Sequence, residues 1–265
     1  MKNMNENLNQ RKSDISRELN SIIAVVARDI TVFFKSPSML IVTLVMPLFM
    51  MGMIGGNMMG IVGGANLGEF MLVGMLVTML FMVTILGMTS LVDDHETDFT
   101  QEMLVSPISR YSLVIGKIIG STFVAIVSMI GTLIVGLVMN IYLPLDQLLL
   151  ILALSPLICF AAGALSMILM GLIKNPKTAN FAMMIIIMPQ IFLSGAIIPV
   201  NDSNMLLLAL SRIMPMTYCI DLVRGVTGVQ TPIFNPLINF AAILLLTVIC
   251  LVIGTFFFAK SEKNR

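Results

Sequence analysis

The chain has 265 residues, of which 58% are apolar and 11% charged, with a formal net charge of +1 and a mean hydropathy of +1.01. Soluble domains carry about 25% charge, so this balance excludes a disordered chain, argues strongly against a soluble one and removes a polybasic nucleic-acid binder. Cys159, Cys219 and Cys250 are far apart in apolar surroundings, which gives neither a disulfide framework nor a zinc spacing.

Residues 14–35 place Ile15, Leu19, Ile22, Ile23, Val26, Ile30, Phe33 and Phe34 at helical spacing, with Arg17, Glu18, Arg28 and Asp29 largely between them. This is the pattern of an amphipathic helix lying on a membrane, and flanking Lys12 and Lys35 suit an anionic inner leaflet. The alternative is an ordinary surface helix packed on protein. Residues 1–37 do not read as a signal peptide, because the apolar run is patterned and no small-residue cleavage site follows.

Charge-free stretches then run over 36–68, 70–92, 118–145, 147–173, 178–201 and 225–259. Each is long enough for the ~20 apolar residues of a spanning helix. Turn residues trim them to six expected spans near 39–57, 70–92, 118–141, 147–172, 178–199 and 237–259. The glycines at 52, 56, 60 and 64 read either as a helix-packing stripe or as a flexible outer loop. The 25 methionines either line an adaptable cavity or reflect a biased membrane composition.

Between spans, residues 93–117 form the longest loop on one side. Asp93, Asp94, Glu96, Asp98 and Glu102 outnumber Arg110 and Lys117, while Phe99, Met103 and Leu104 share a helical face and Ser106-Pro107 ends it. The segment is either a docking helix for a soluble partner or a solvated acidic turn. Residues 200–236 return towards the membrane: Met205 to Ile213 is a short apolar helix, Pro215 breaks it, and a second short helix over 217–226 carries Asp221 and Arg224. That predicts an outer re-entrant helical hairpin, tolerated where protein covers its ends. Pro189 predicts a kink, with Gln190, Ser194 and Gly195 either lining a pathway or re-satisfying the broken helix.

An even number of spans puts both termini on one side. Thirteen of the 15 Lys and Arg fall there, so both ends, including the tail at 260–265, are expected in the cytoplasm. No span interior carries an ionisable residue, which disfavours an ion-coupled carrier. Glu69 reads as a helix N-terminal charge, and His95 has no partner for a metal or a nucleophile. Gly116-Lys117 lacks the upstream glycine of a P-loop. A pump built on this chain therefore takes its energy from another chain.

Three segments together resemble the ABC-2 type permeases, the membrane subunits of type-2 ABC exporters, and within them the branch with drug-resistance and nodulation-factor exporters. The first is Arg28-Asp29, Lys35-Ser36-Pro37 and Pro47. The second matches the family loop at Asp94, Glu96, Phe99, Glu102, Met103, Leu104, Val105, Pro107, Ile108, Ser109 and Arg110, and departs from it at His95, Thr97 and Asp98. The third runs through Pro189, Phe192-Leu193-Ser194-Gly195, Pro199, Pro215, Thr217-Tyr218, Asp221 and Arg224, with Met214 and Met216 in place of Asn and Leu.

The resemblance implies an all-α integral membrane permease of six spans that pairs with a second permease copy and two cytosolic ATPase subunits. Those subunits, not this chain, bind ATP and Mg. Residues 94–110 would couple to the ATPase, and the outer hairpin would close the path. The expected coupling residues are Asp94, Glu96, Phe99, Glu102, Met103, Leu104, Pro107 and Arg110. The expected pathway or gate residues are Pro189, Gln190, Ser194, Gly195, Asp221 and Arg224, the last two as a structural pair. The expected activity is export of a hydrophobic or amphipathic cargo from a multi-pass protein of the plasma membrane, with no covalent catalysis, no cofactor of its own and no nucleic acid. The competing classes are a secondary carrier or channel and, further off, a membrane scaffold or intramembrane enzyme.

Overall fold

The structure, a computed structural model, describes residues 19–20, 22–58, 67–96, 110–173, 176–197, 200 and 205–263. All regular structure among them is helical: α1 (22–35), α2 (Pro37–Met58), α3 (Leu67–Glu96), α4 (Arg110–Val138), α5 (Leu145–Leu172), α6 (Pro176–Leu193), α7 (Met205–Ser211), α8 (Pro215–Thr227) and α9 (Pro236–Lys263). Prolines open α2, α6, α8 and α9, where the missing N–H forfeits no helical bond and the fixed φ suits the first turn. At the end of α4, Asn140 takes φ 58°. The Ile141 amide donates to Gly136 O at 2.9 Å and the Asn140 amide to Leu137 O at 3.1 Å. This Schellman closure stops the helix at Val138, short of the expected 141.

Four helices among the described residues are long and apolar enough to cross a membrane, within Leu67–Thr89, Val114–Val138, Leu145–Ile168 and Pro236–Gly254. The count is five if α7 and α8, bent 99° to each other, form one broken span. The buried share falls from 78% in the α3 span to 56% in α4, 44% in α5 and 28% in α9, so α3 is the axis of the bundle. It contacts α2, α4, α5, α6 and α8, and α9 packs chiefly on α5. The core gathers Leu72, Leu76, Leu80 and Phe81 of α3 with Ile151 and Ile158 of α5 and Ile220 of α8. On the outside, Phe49 of α2, Phe181 of α6 and Leu245 of α9 stand exposed, as lipid-facing side chains do where no water has to be met.

Several hydroxyls inside the bundle bond their own helix. Thr78, Thr84, Thr122 and Thr247 each donate to the carbonyl four residues back at 2.6–2.7 Å. That satisfies a polar group which lipid cannot.

Further expectations change. The fifth expected span, 178–199, is helical only to Leu193, because Ser194–Ile197 bend and Gly195 takes φ 85°. The second, expected to end at 92, stays helical to Glu96 and carries the backbone of Asp93 and Asp94 inside α3. Of the glycine stripe, Gly52 faces open space; the side-chain surroundings of the rest fall outside the described residues. Buried Met75 and Met183 sit in the core while Met184 and Met188 face outward.

Candidate functional site

Among the described residues, a polar cluster lies where α3, α6 and α8 meet. Arg224 on α8 is 4% exposed. Its Nη1 donates to Gly195 O at 2.7 Å, and its Nη2 donates to Ala196 O and Phe70 O, each at 3.0 Å. The guanidinium carbon sits 3.5 Å from the centroid of the Phe70 ring. Carbonyl dipoles and a ring face thus solvate a charge that burial has stripped of water. The geometry depends on two glycines. Gly195, at φ 85°, turns the chain so that two successive carbonyls face α8. Gly74 leaves the room: a Cβ there would meet Ala196 O at 2.3 Å and Arg224 Nη2 at 2.6 Å.

Asp221 stands one turn earlier on α8. Its Oδ1 accepts the Ile233 amide at 2.7 Å, and its Oδ2 accepts the Phe234 amide at 2.9 Å and Asn239 Nδ2 at 2.7 Å. It therefore holds the connection into α9. The expected Asp221–Arg224 pair does not form as a direct ion pair. Asp221 holds the 233–234 amides and the Asn239 side chain while Arg224 holds carbonyls, and the carboxylate's charge still acts on the guanidinium one turn away. Phe234 also stacks on Tyr218, with centroids 5.7 Å apart, while Tyr218 donates to Arg212 O at 2.8 Å.

The start of α8 has no side-chain cap of its own, since Met214 supplies none. Gln190 of α6 fills that role, its Oε1 accepting the Met216 amide at 3.3 Å. Ser194 Oγ accepts the Ala196 amide at 3.4 Å within the bend, and Pro189 lies inside α6 just before it. Both Gln190 and Ser194 are 2% exposed. The cavity beside them, bounded by Ser194, Thr217, Asp221, Arg224 and Gln230, is about 10 Å³, the room of roughly one water. Gln190, Ser194, Gly195, Asp221 and Arg224 thus converge on one junction between α6, the bend after it and α8.

Asp94 and Glu96 belong to the last turn of α3, and Arg110 is the first residue of α4. Phe99, Glu102, Met103, Leu104 and Pro107, with the short helix expected around them, lie outside the described residues.

A second polar contact has no counterpart in the sequence reading. Lys117 Nζ of α4 lies 2.6 Å from Asp29 Oδ1 of α1, with side chains 4% and 11% exposed. Lys117 was expected at the loop edge but lies inside the apolar stretch Val114–Val138, so that span does carry an ionisable residue. The available signal was Gly116 and Gly120 flanking it, small residues that let another helix come close.

The family model described as ABC-2 type transporter matches residues 20–227, from the edge of α1 to the last residue of α8. The chain belongs to the ABC-2 type transporter family. This ABC-2 protein is a multi-pass membrane protein, as its apolar helices require. It is 28% identical over 175 residues to nodulation protein J of Neorhizobium galegae. The aligned stretch covers 64% of this chain and 65% of that relative, just under two thirds of the relative's length. Within the ABC-2 match lie the Arg224 junction, the Asp29–Lys117 contact and the whole of 93–117.

Proposed function

We propose that the chain is the permease subunit of an ATP-driven exporter of a hydrophobic or amphipathic cargo such as a drug, lipid or glycolipid. The observation that carries this reading is the ABC-2 match over 20–227, which includes the acidic segment 93–117 and both helices that flank it. In this reading the chain does no covalent chemistry. Two copies of a cytosolic ATPase subunit bind ATP and Mg and seat the segment 94–110, and a second permease copy completes the transporter.

Six spans follow if α2 and α6 cross beside the four longer helices. At 1.5 Å per residue the 22 residues of α2 cover about 33 Å and the 18 of α6 about 27 Å. Helices α7 and α8, bent 99°, then form the outer re-entrant hairpin, α1 lies on the inner surface, and both termini face the cytoplasm of a plasma-membrane protein.

The mechanism follows from α3. Its 30 residues include Asp94 and Glu96 at the coupling end and Phe70 and Gly74 at the Arg224 junction, about 30–40 Å apart along the helix. ATP binding moves the coupling segment, α3 and α4 shift in a packed bundle, and the Arg224 grip on Gly195 and Ala196 is remade in a second arrangement. In this reading Asp221, Arg224 and Gln190 close the outer end of the path.

The test is a pull-down of the tagged permease in mild detergent from its native membranes. Co-purification of a P-loop ATPase in stoichiometric amount, lost when 94–110 is scrambled, is the expected result. A permease that purifies without any ATPase would overturn the reading.

A further inference from the structure

We propose that Asp29 and Lys117 are a positioning pair that fastens α1 to the stem of α4, so that the surface helix and the coupling segment move as one lever. The lever's purpose rests on the ATP-driven reading above; the fastening rests on geometry alone.

One face of α1 is built to seat on α4. Val25 is 8% exposed and Phe33 4%, and with Ile22 and Asp29 they fall on one side of the helix at three- and four-residue intervals. A neighbouring face is apolar and open: Ile23 and Phe34 are 62% and 56% exposed. On α4, a Cβ at Gly116 would meet the Cα of Ile22 at 3.3 Å, and one at Gly120 would meet Asp29 Oδ2 at 2.7 Å. The two glycines are one turn apart, so α1 rests on nearly bare backbone there, with Lys117 between them reaching Asp29 at 2.6 Å.

Apolar contacts alone would let α1 slide or roll, since they are non-directional. A short buried ion pair contributes little net stability but admits only one register. Here it selects the register that puts α1 against the part of α4 two turns, about 10 Å, from Arg110, where the coupling segment begins. A push on that segment therefore reaches α1 through a fixed contact, and α1 carries it along the membrane surface.

Spin labels on exposed Thr31 of α1 and Phe123 of α4 read the fastening directly. The full-length permease is placed in lipid nanodiscs with whatever ATPase co-purifies, and inter-label distances are measured with and without ATP plus vanadate. The expected wild-type result is one narrow distance, unchanged by nucleotide. The double variant Asp29→Asn/Lys117→Gln removes both charges of this pair together. It should give a broadened distance without nucleotide and a shifted one with it. The reversed pair Asp29→Lys/Lys117→Asp should restore the narrow distance. A wild-type distribution in the double neutral variant, or a wild-type distance that itself shifts with nucleotide, would overturn the proposal. A wild-type preparation with no ATPase sinks the ATP-driven reading, and the nucleotide-free comparison then decides the pair by itself.

Discussion

Gly74 of α3 lies so close to Ala196 that a Cβ on the glycine would stand 2.3 Å from the alanine's carbonyl oxygen. No side chain, however small, fits that gap without moving the bend that Arg224 holds. Gly74→Ala should therefore destabilise the solubilised protein by about 1–3 kcal/mol, the usual range for overpacking. Gly52→Ala meets nothing within 4 Å and should be neutral or stabilising by about 0.5–1 kcal/mol through helix propensity alone. Thermal unfolding of the two variants side by side checks the contrast.

Arg224→Lys keeps the charge but loses the planar fork that reaches three carbonyls. An ammonium cannot span Gly195, Ala196 and Phe70 together. The loss should be about 1.5–3 kcal/mol, that of a charge-assisted hydrogen bond, and Arg224→Met should cost more by leaving all three carbonyls bare. Unfolding midpoints in detergent would rank them; a Lys variant as stable as wild type would argue against the fork.

Much of this molecule can be read before any fold is known, and the remainder has physical reasons for being hidden. Helices α3, α4, α5 and α9 follow from charge-free runs of spanning length, because lipid makes length and charge decisive. The same rule hid Lys117: ending a span at every charge puts that lysine in a loop, whereas its partner Asp29 lies 88 residues away and only folding brings them together. The spacing of Asp221 and Arg224 invites a salt bridge, yet both are spent on backbone groups supplied by distant turns. Gln190 shows the same limit. The sequence shows a polar residue beside a proline, and the structure gives it the unfilled cap of another helix.

Asp221→Asn replaces one acceptor oxygen with a donor, so at least one of the Ile233 amide, the Phe234 amide and Asn239 loses its partner. We expect about 1–3 kcal/mol of destabilisation, felt first in the connection 228–235. Hydrogen exchange at Ile233 and Phe234 should rise well before that of α8; equal protection in both proteins would count against the clamp.

Gln190→Leu removes the acceptor for the Met216 amide. The cost should match that of a lost N-cap, about 0.5–2 kcal/mol, while Gln190→Glu should retain most of it. Melting of the two variants, compared with wild type, is the measurement.

Glu102→Lys reverses a charge in the proposed coupling segment. Membrane abundance should be unchanged, while ATPase co-purification and ATP-driven export fall together. Normal export with this variant would remove the segment from the docking role.

Gly254 brings α9 so near α5 that a Cβ would meet Met167 Cβ at 2.7 Å and the Ile168 backbone nitrogen at 3.0 Å. This is a tight seam on α5, and the helix that fills it is synthesised only after α5, α6, α7 and α8. Throughout synthesis α5 must wait in the bilayer with that groove facing lipid or a chaperone. A chain cut before Gly254 would leave the Met167–Ile168 side of α5 without the helix that covers it.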